Sequence, residues 1–254
     1  MLGVQLNNAN AGHRFNLAHG VGMMLYNNNG ADLKEGDVVV VGADTTYRWI
    51  AVLPCDAAAS VYHDLAVVLE TISTGKIGKV ALFGDNVNDG LKVYVNSDST
   101  NGAGAIAAGD YLECCPASFD GTETNTAFVA GSGSTRDTIT DSDSGLVDDD
   151  FTAGQFIIIQ GATTTANNTR HQIYSVAAGT ITLTSIGDVT AEAGIANMTI
   201  KAVGQLEQDG TARTVVSAAR ITALQAAVVE TGDAAVLATT VIKLPNTNTV
   251  AARG

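Results

Sequence analysis

The densest run of chemically capable side chains is Asp141, Asp143, Asp148, Asp149 and Asp150. Carboxylates at alternating positions suit an oxygen-ligated cation, with glycine at the sixth place of the loop and an acid at the twelfth. Counted from Asp141, the third place is Asp143, but the fifth is Gly145, the sixth Leu146 and the twelfth Thr152. The EF-hand pattern fails. A looser cation site on Asp141, Asp143 and Asp148 to Asp150 is the functional alternative. A solvated turn leading into the next element is the better reading.

The other reactive residues are sparse. His13, His19, His63 and His171 have no Cys or Glu at a metal-ligand spacing. Cys55, Cys114 and Cys115 form an odd set with an adjacent pair, which is no disulfide framework. Neighbouring strand side chains point to opposite faces, so the pair does not bridge to itself. These cysteines read as small hydrophobes in a reducing compartment. No nucleophile elbow or phosphate loop occurs. Gly102-Ala103-Gly104 lacks the third glycine of a dinucleotide loop, and Gly131 to Ser134 reads as a flexible connector. Tyr47 and Trp49 form the one local aromatic cluster, best explained by core packing. The expectation is a non-enzyme with no catalytic residue, cofactor or metal.

The composition points to strands. Hydrophobic residues make up 46%, yet aromatics only 5% and charged residues 15%, so the apolar content is mostly Ala and Val. Gly is high at 27 residues and Pro low at 3, with Thr, Asn, Asp and Ser between apolar runs. Many short strands joined by polar turns have this profile. The Met1 to Asn8 segment lacks the basic and apolar regions of a signal peptide, and no apolar run nears the ~18 residues of a membrane span. A chain made in the cytoplasm, with no membrane partner, is expected. There are 26 acidic and 13 basic residues, giving a net charge of −13, and no Lys/Arg cluster. Nucleic-acid binding is therefore not expected.

Residues 1–32 are Asn- and Gly-rich with little alternation, and read as an N-terminal arm. Turn signals then recur, with strands at Val38 to Val41, Tyr47 to Leu53, Leu65 to Glu70, Lys79 to Phe83 and Leu91 to Val95. Near Phe119 the character changes. Gln155 to Gly161, Arg170 to Val176, Gly179 to Thr184 and Met198 to Val203 form their own strand set. Thr214 to Val229 is the best helix candidate, and Val236 to Leu244 reads as the last strand. Ala66-Val67-Val68-Leu69-Glu70-Thr71 is echoed by Ala227-Val228-Val229-Glu230-Thr231-Gly232, which ties the tail to the first half. The expected fold is mainly β: a barrel- or sandwich-like domain of 33–119 plus 205–254, with a small β domain of 120–204 inserted.

Two stretches carry a family resemblance. Phe151 to Gly161, Asn167-Asn168, Ile173 to Val176, Ile181 to Leu183 and Glu192-Ala193-Gly194 before Met198 resemble a small β module of tailed-phage virion proteins. Gly36-Asp37-Val38, Gly78 to Gly84 and Ala108 to Leu112 resemble phage capsid decoration (cement) proteins, which form barrel-like trimers. The resemblance implies a structural virion protein that bridges neighbouring subunits of the major capsid protein, as a homotrimer. An anionic surface would be repelled by packaged DNA, so the outer capsid surface is the expected location. The candidate contact residues lie in the arm and tail: Asn7, Asn8, His13, Arg14, Asn27, Asn28, Asn246 and Asn248. Competing readings are a tail-tube or other tail component, which needs a long hairpin, and an adhesin or carbohydrate-binding module, which needs exposed aromatics.

Overall fold

The structure is a computed structural model. It describes residues 4–5, 14–17, 20–43, 45–46, 49–53, 65–82, 91–96, 106–109, 111–114, 118–120, 125–142, 146, 151–203, 206–208, 221–223, 228–229 and 238–243. The strands in chain order begin with β1 (Val4–Gln5), β2 (Arg14–Leu17), β3 (Gly20–Asn27), β4 (Val38–Gly42), β5 (Ile50–Val52), β6 (Leu65–Val68) and β7 (Ile77–Leu82). Next come β8 (Leu91–Asn96), β9 (Tyr111–Cys114), β10 (Ser118–Asp120), β11 (Thr126–Val129), β12 (Thr138–Asp141), β13 (Phe156–Gln160) and β14 (Arg170–Ala177). The last are β15 (Thr180–Leu183), β16 (Glu192–Ile195), β17 (Thr199–Ala202), β18 (Leu206–Gln208), β19 (Ile221–Ala223), β20 (Val228–Val229) and β21 (Ala238–Lys243). The fold is mainly β, and no described helix is long and apolar enough to cross a membrane.

Three sheets result. In the first, β3, β5, β4, β6 and β7 pair in sequence and β7 returns to β3, closing a five-strand barrel to which β2 and β1 add an edge. In the third, β8, β18, β9, β19 and β21 likewise pair around to β8, with β20 added beside β21. Between them the eight-stranded sheet runs β10-β17-β13-β14-β15-β12-β11-β16. The expected parent domain of 33–119 plus 205–254 therefore divides between two rings. Residues 33–82 join β3 in the first, and β8 and β9 pair with the tail strands in the second.

One local motif starts several of these strands. An apolar residue, two others, a glycine and one further residue precede the apolar first residue of β4, β7, β9 and β13. The leading residues Leu33, Ile72, Ile106 and Phe151 are all buried. The glycines Gly36, Gly75, Gly109 and Gly154 have φ of 93°, 73°, 95° and 88°. The bonds Asp37 N–H to Lys34 O, Lys76 N–H to Ser73 O and Gln155 N–H to Thr152 O close three of these turns. Glycine at the third place of such a turn is the type II requirement.

Two sequence expectations change. The N-terminal arm holds β3, a full member of the barrel, on which Met23, Leu25 and Asn27 are buried at alternate positions. Asn-rich flanks hid this period. The helix expected over 214–229 is absent from its described part, where Ile221–Ala223 and Val228–Val229 are strands. β-branched Ile, Thr and Val disfavour helix and suit a pleated surface.

Strand β13 explains the continuous apolar run at 156–159. Ile157 and Ile159 enter the core of the inserted module with Phe128, Ile139, Ile173 and Ile200. Ile158, with Phe156 packed beside it, belongs to the first barrel's core with Leu25, Leu33, Val39 and Val68. The period-two alternation thus feeds two cores from one strand. Ile158→Ala should destabilise the chain by about 2–4 kcal/mol through a cavity at the barrel–module joint. Urea unfolding followed by the single Trp49 checks this, and an unchanged midpoint would contradict the shared core.

Candidate functional site

The most concentrated charge chemistry lies where the three sheets meet. Asp37 follows the turn glycine Gly36 and is fully buried. Its carboxylate accepts the Lys34 backbone N–H at 2.7 Å, which ties it to its own turn. Arg170, first residue of β14, grips the same carboxylate: Nη2 reaches Oδ1 at 2.9 Å and Nη1 reaches Oδ2 more closely. The guanidinium lies 4.2 Å from the Phe156 ring centroid on β13 and 5.9 Å from that of Tyr94 on β8. Those two rings meet edge to face at 5.3 Å. The Tyr94 backbone N–H also donates to Gly36 O at 3.0 Å. One ion pair and two rings therefore join the first barrel, the inserted module and the second ring.

The electrostatics suit a structural joint. Burial pushes the Asp37 carboxyl up from its ordinary value, and the Arg170 guanidinium and Lys34 N–H pull it part of the way back. A buried charge is tolerable only when paired and hydrogen-bonded, and Arg supplies a planar fork that a Lys does not.

A second carboxylate organises loops within the module. Asp137, fully buried, accepts backbone N–H bonds from Gly131 at 2.7 Å, Gly187 at 2.8 Å and Asp188 at 3.0 Å, and the Ser185 hydroxyl at 2.7 Å. Burial alone would raise its carboxyl, but these donors bring it from the ordinary 3.8 down to about 2. The Gly131 stretch, expected as a flexible connector, is thereby a fixed turn. A Cβ on Gly131 would lie 2.2 Å from Thr135 O, so only glycine fits. Nearby His171 is buried at 8% exposure, and its Nε2 has no hydrogen-bond partner. Burial holds it below its ordinary value, against Asn167, Asp137 and Asp188.

The sequence-selected contact residues scatter. Asn7, Asn8, His13, Asn246 and Asn248 lie outside the described residues. Arg14 is on β2, paired with Met23. Asn28 is exposed. Asn27 faces inward: it is fully buried, and its Nδ2 donates to Ala31 O at 2.8 Å and Ile72 O at 2.7 Å. Its Oδ1 accepts the Asn29 N–H at 3.0 Å, while Asn29 Nδ2 donates to Ala51 O at 2.9 Å. Asn27 therefore seals the end of the barrel rather than meeting a partner. In the acidic run Asp141 and Leu146 are buried. Asp143 and Asp148 to Asp150 lie outside the described residues. Among the described residues no group of three His, Cys, Asp or Glu side chains could hold a metal ion. Trp49 packs against the first barrel's core, as its aromatic signal suggested.

The junction escaped sequence reasoning. Gly36-Asp37 was legible as a turn, but Arg170 stands 133 residues away. A lone Arg at the head of an apolar strand would have been the one usable signal. No family model, curated protein or solved structure matches the chain.

Arg170→Met should cost about 3–5 kcal/mol, because Asp37 would be left buried and unpaired. Adding Asp37→Asn should recover part of that loss in the same chemical melt, and full additivity of the two would contradict coupling.

Acidification should loosen the module in two stages. Both His171 and Asp137 bind protons less readily folded than unfolded, so stability falls as pH drops. For His171 the loss begins below 6.5; for Asp137 it runs from 3.8 towards about 2. His171→Leu should shrink the fall in melting temperature between pH about 7.5 and about 5. An undiminished fall would show that other groups carry it.

Proposed function

We propose that this chain is a structural virion protein that decorates a phage capsid and stabilises it by bridging neighbouring major capsid protein subunits. The observation that carries the reading is the buried joint at Asp37, Arg170, Phe156 and Tyr94, which ties three β units into one body. A brace that resists outward pressure has to transmit force between its contact points, and a coupled joint with shared cores does so. Two further features support the reading. The net charge of −13 favours a place away from packaged DNA, on the outer surface. The described charged clusters are spent on joining loops and sheets, as with Asp137 and Asp37, rather than converging on an open cleft.

The mechanism is linkage. A protein that binds the expanded shell and not its precursor stabilises the expanded state by mass action. A homotrimer would multiply modest contacts by avidity. The trimer, the capsid protein as partner and the outer-surface location all belong to this proposal.

Electron microscopy of particles with and without the protein tests it. Loss of surface density together with a lower temperature of DNA release is the expected result. Intact heads lacking tails would instead assign the protein to the tail, and unchanged particles would remove it from the virion.

A further inference from the structure

The two closed rings have one topology. In each, numbered in chain order, the first strand pairs in parallel with the third, the third with the second, the second with the fourth, the fourth with the fifth, and the fifth with the first. The last four pairings are antiparallel in both. The ring strands are β3 to β7 in one case and β8, β9, β18, β19 and β21 in the other.

The match extends to single residues. Tyr26 and Asn27 pair with Ile50 and Ala51 in the first ring; Val95 and Asn96 pair with Leu206 and Glu207 in the second. Ile50 and Ala51 then face Gly42 and Val41, as Leu206 and Glu207 face Cys114 and Glu113. Two residues back along the second strand, Val40 meets Leu65, as Leu112 meets Ile221. One residue on, Ala66 meets Leu82, as Thr222 meets Lys243. Five residues back along the fifth strand, Ile77 meets Tyr26 and Ala238 meets Val95, so both walks close on their starting residue.

Strand number and stagger together set a barrel's diameter and strand tilt. Two rings with the same number and the same stagger are therefore the same backbone object built twice. A slip of one residue in any ladder would turn that strand's buried side chains outward and break the equivalence. Asn27 and Asn96 occupy the same place in the two rings, as do Val80 and Val241. Most other equivalent positions differ in type, Val41 and Glu113 among them. The eight-stranded module lies between β9 and β18, the interval that the first ring spans with the short connection 43–49.

We propose that the chain is a tandem repeat whose two barrels dock on two copies of one repeated partner surface, an array of identical subunits. A barrel duplicated with its register intact presents the same strand framework twice. The partner that such a pair fits is one that displays one site at regular intervals. Fusion makes the second contact intramolecular, which multiplies apparent affinity without any new kind of contact. The inserted module leaves this pairing intact, because it replaces one connection of one ring. The inference rests on the decoration reading and adds to it the valency of each chain.

The test uses the full-length protein with expanded, empty shells and with the soluble capsid subunit. Saturation binding with quantitative gel densitometry gives chains per lattice position, and a reconstruction of the saturated shell shows which barrels touch it. The expected result is one chain per two adjacent equivalent positions, contacts through both barrels, and binding to shells about 100-fold or more tighter than to the soluble subunit. One chain per position with contact through a single barrel would overturn bivalency and leave decoration standing. Absence of binding to any shell would overturn decoration, and bivalent docking with it.

Discussion

The ion pair between Asp37 and Arg170 sets the relation among all three sheets. Each charge comes from a different unit, and Asp37 is out of reach of solvent. Neither side chain can leave the other without exposing a bare charge to an apolar surrounding, so the units cannot drift apart by small steps. The rings of Phe156 and Tyr94 complete the joint because a weakly hydrated guanidinium favours aromatic faces. Specificity of arrangement is the gain, since an apolar replacement of similar volume could pack as tightly without fixing who meets whom.

The same division of labour recurs on a smaller scale. Asp137 gathers the 131 turn and the 185–188 loop around one carboxylate, and Glu192 does so for Thr163, Thr164 and Asn167. Asn27 and Asn167 each bridge separate segments with a buried amide that both donates and accepts. These polar centres position loops that join the strands. Asp37, Asp137 and Glu192 act as structural acceptors for backbone N–H groups.

Much of the strand content was legible because it is local. Val38 to Val41, Leu91 to Val95 and Thr180 to Leu183 announce themselves by β-branched residues bounded by glycine turns, and the fold is mainly β as those signals require. The run at 156–159 was legible as a strand, but its two-sided burial depends on a barrel distant in sequence. β3 was lost among asparagines, and the short tail strands were lost among alanines whose helix propensity is high. The resemblance between the two rings resides in hydrogen-bond register rather than residue type. The echo at 66–71 and 227–232 points to the tail, but the ring position of β6 is taken by β19 and not by the echoed β20. Long-range pairs such as Asp37 with Arg170 leave no periodic trace at all.

The placement of the module between β9 and β18 has a consequence for synthesis. In the second ring β18 sits between β8 and β9, so these two strands emerge early and have no mutual ladder to form. They must wait for residues made after the whole of 115–205. The module's own first and last strands, β10 and β17, pair directly. Once folded, it brings its two ends together and turns a long loop into a short one, lowering the closure cost by on the order of 2–3 kcal/mol. The inserted sheet thus serves as a folding clamp for the ring that hosts it, and the order of manufacture becomes first barrel, module, second barrel.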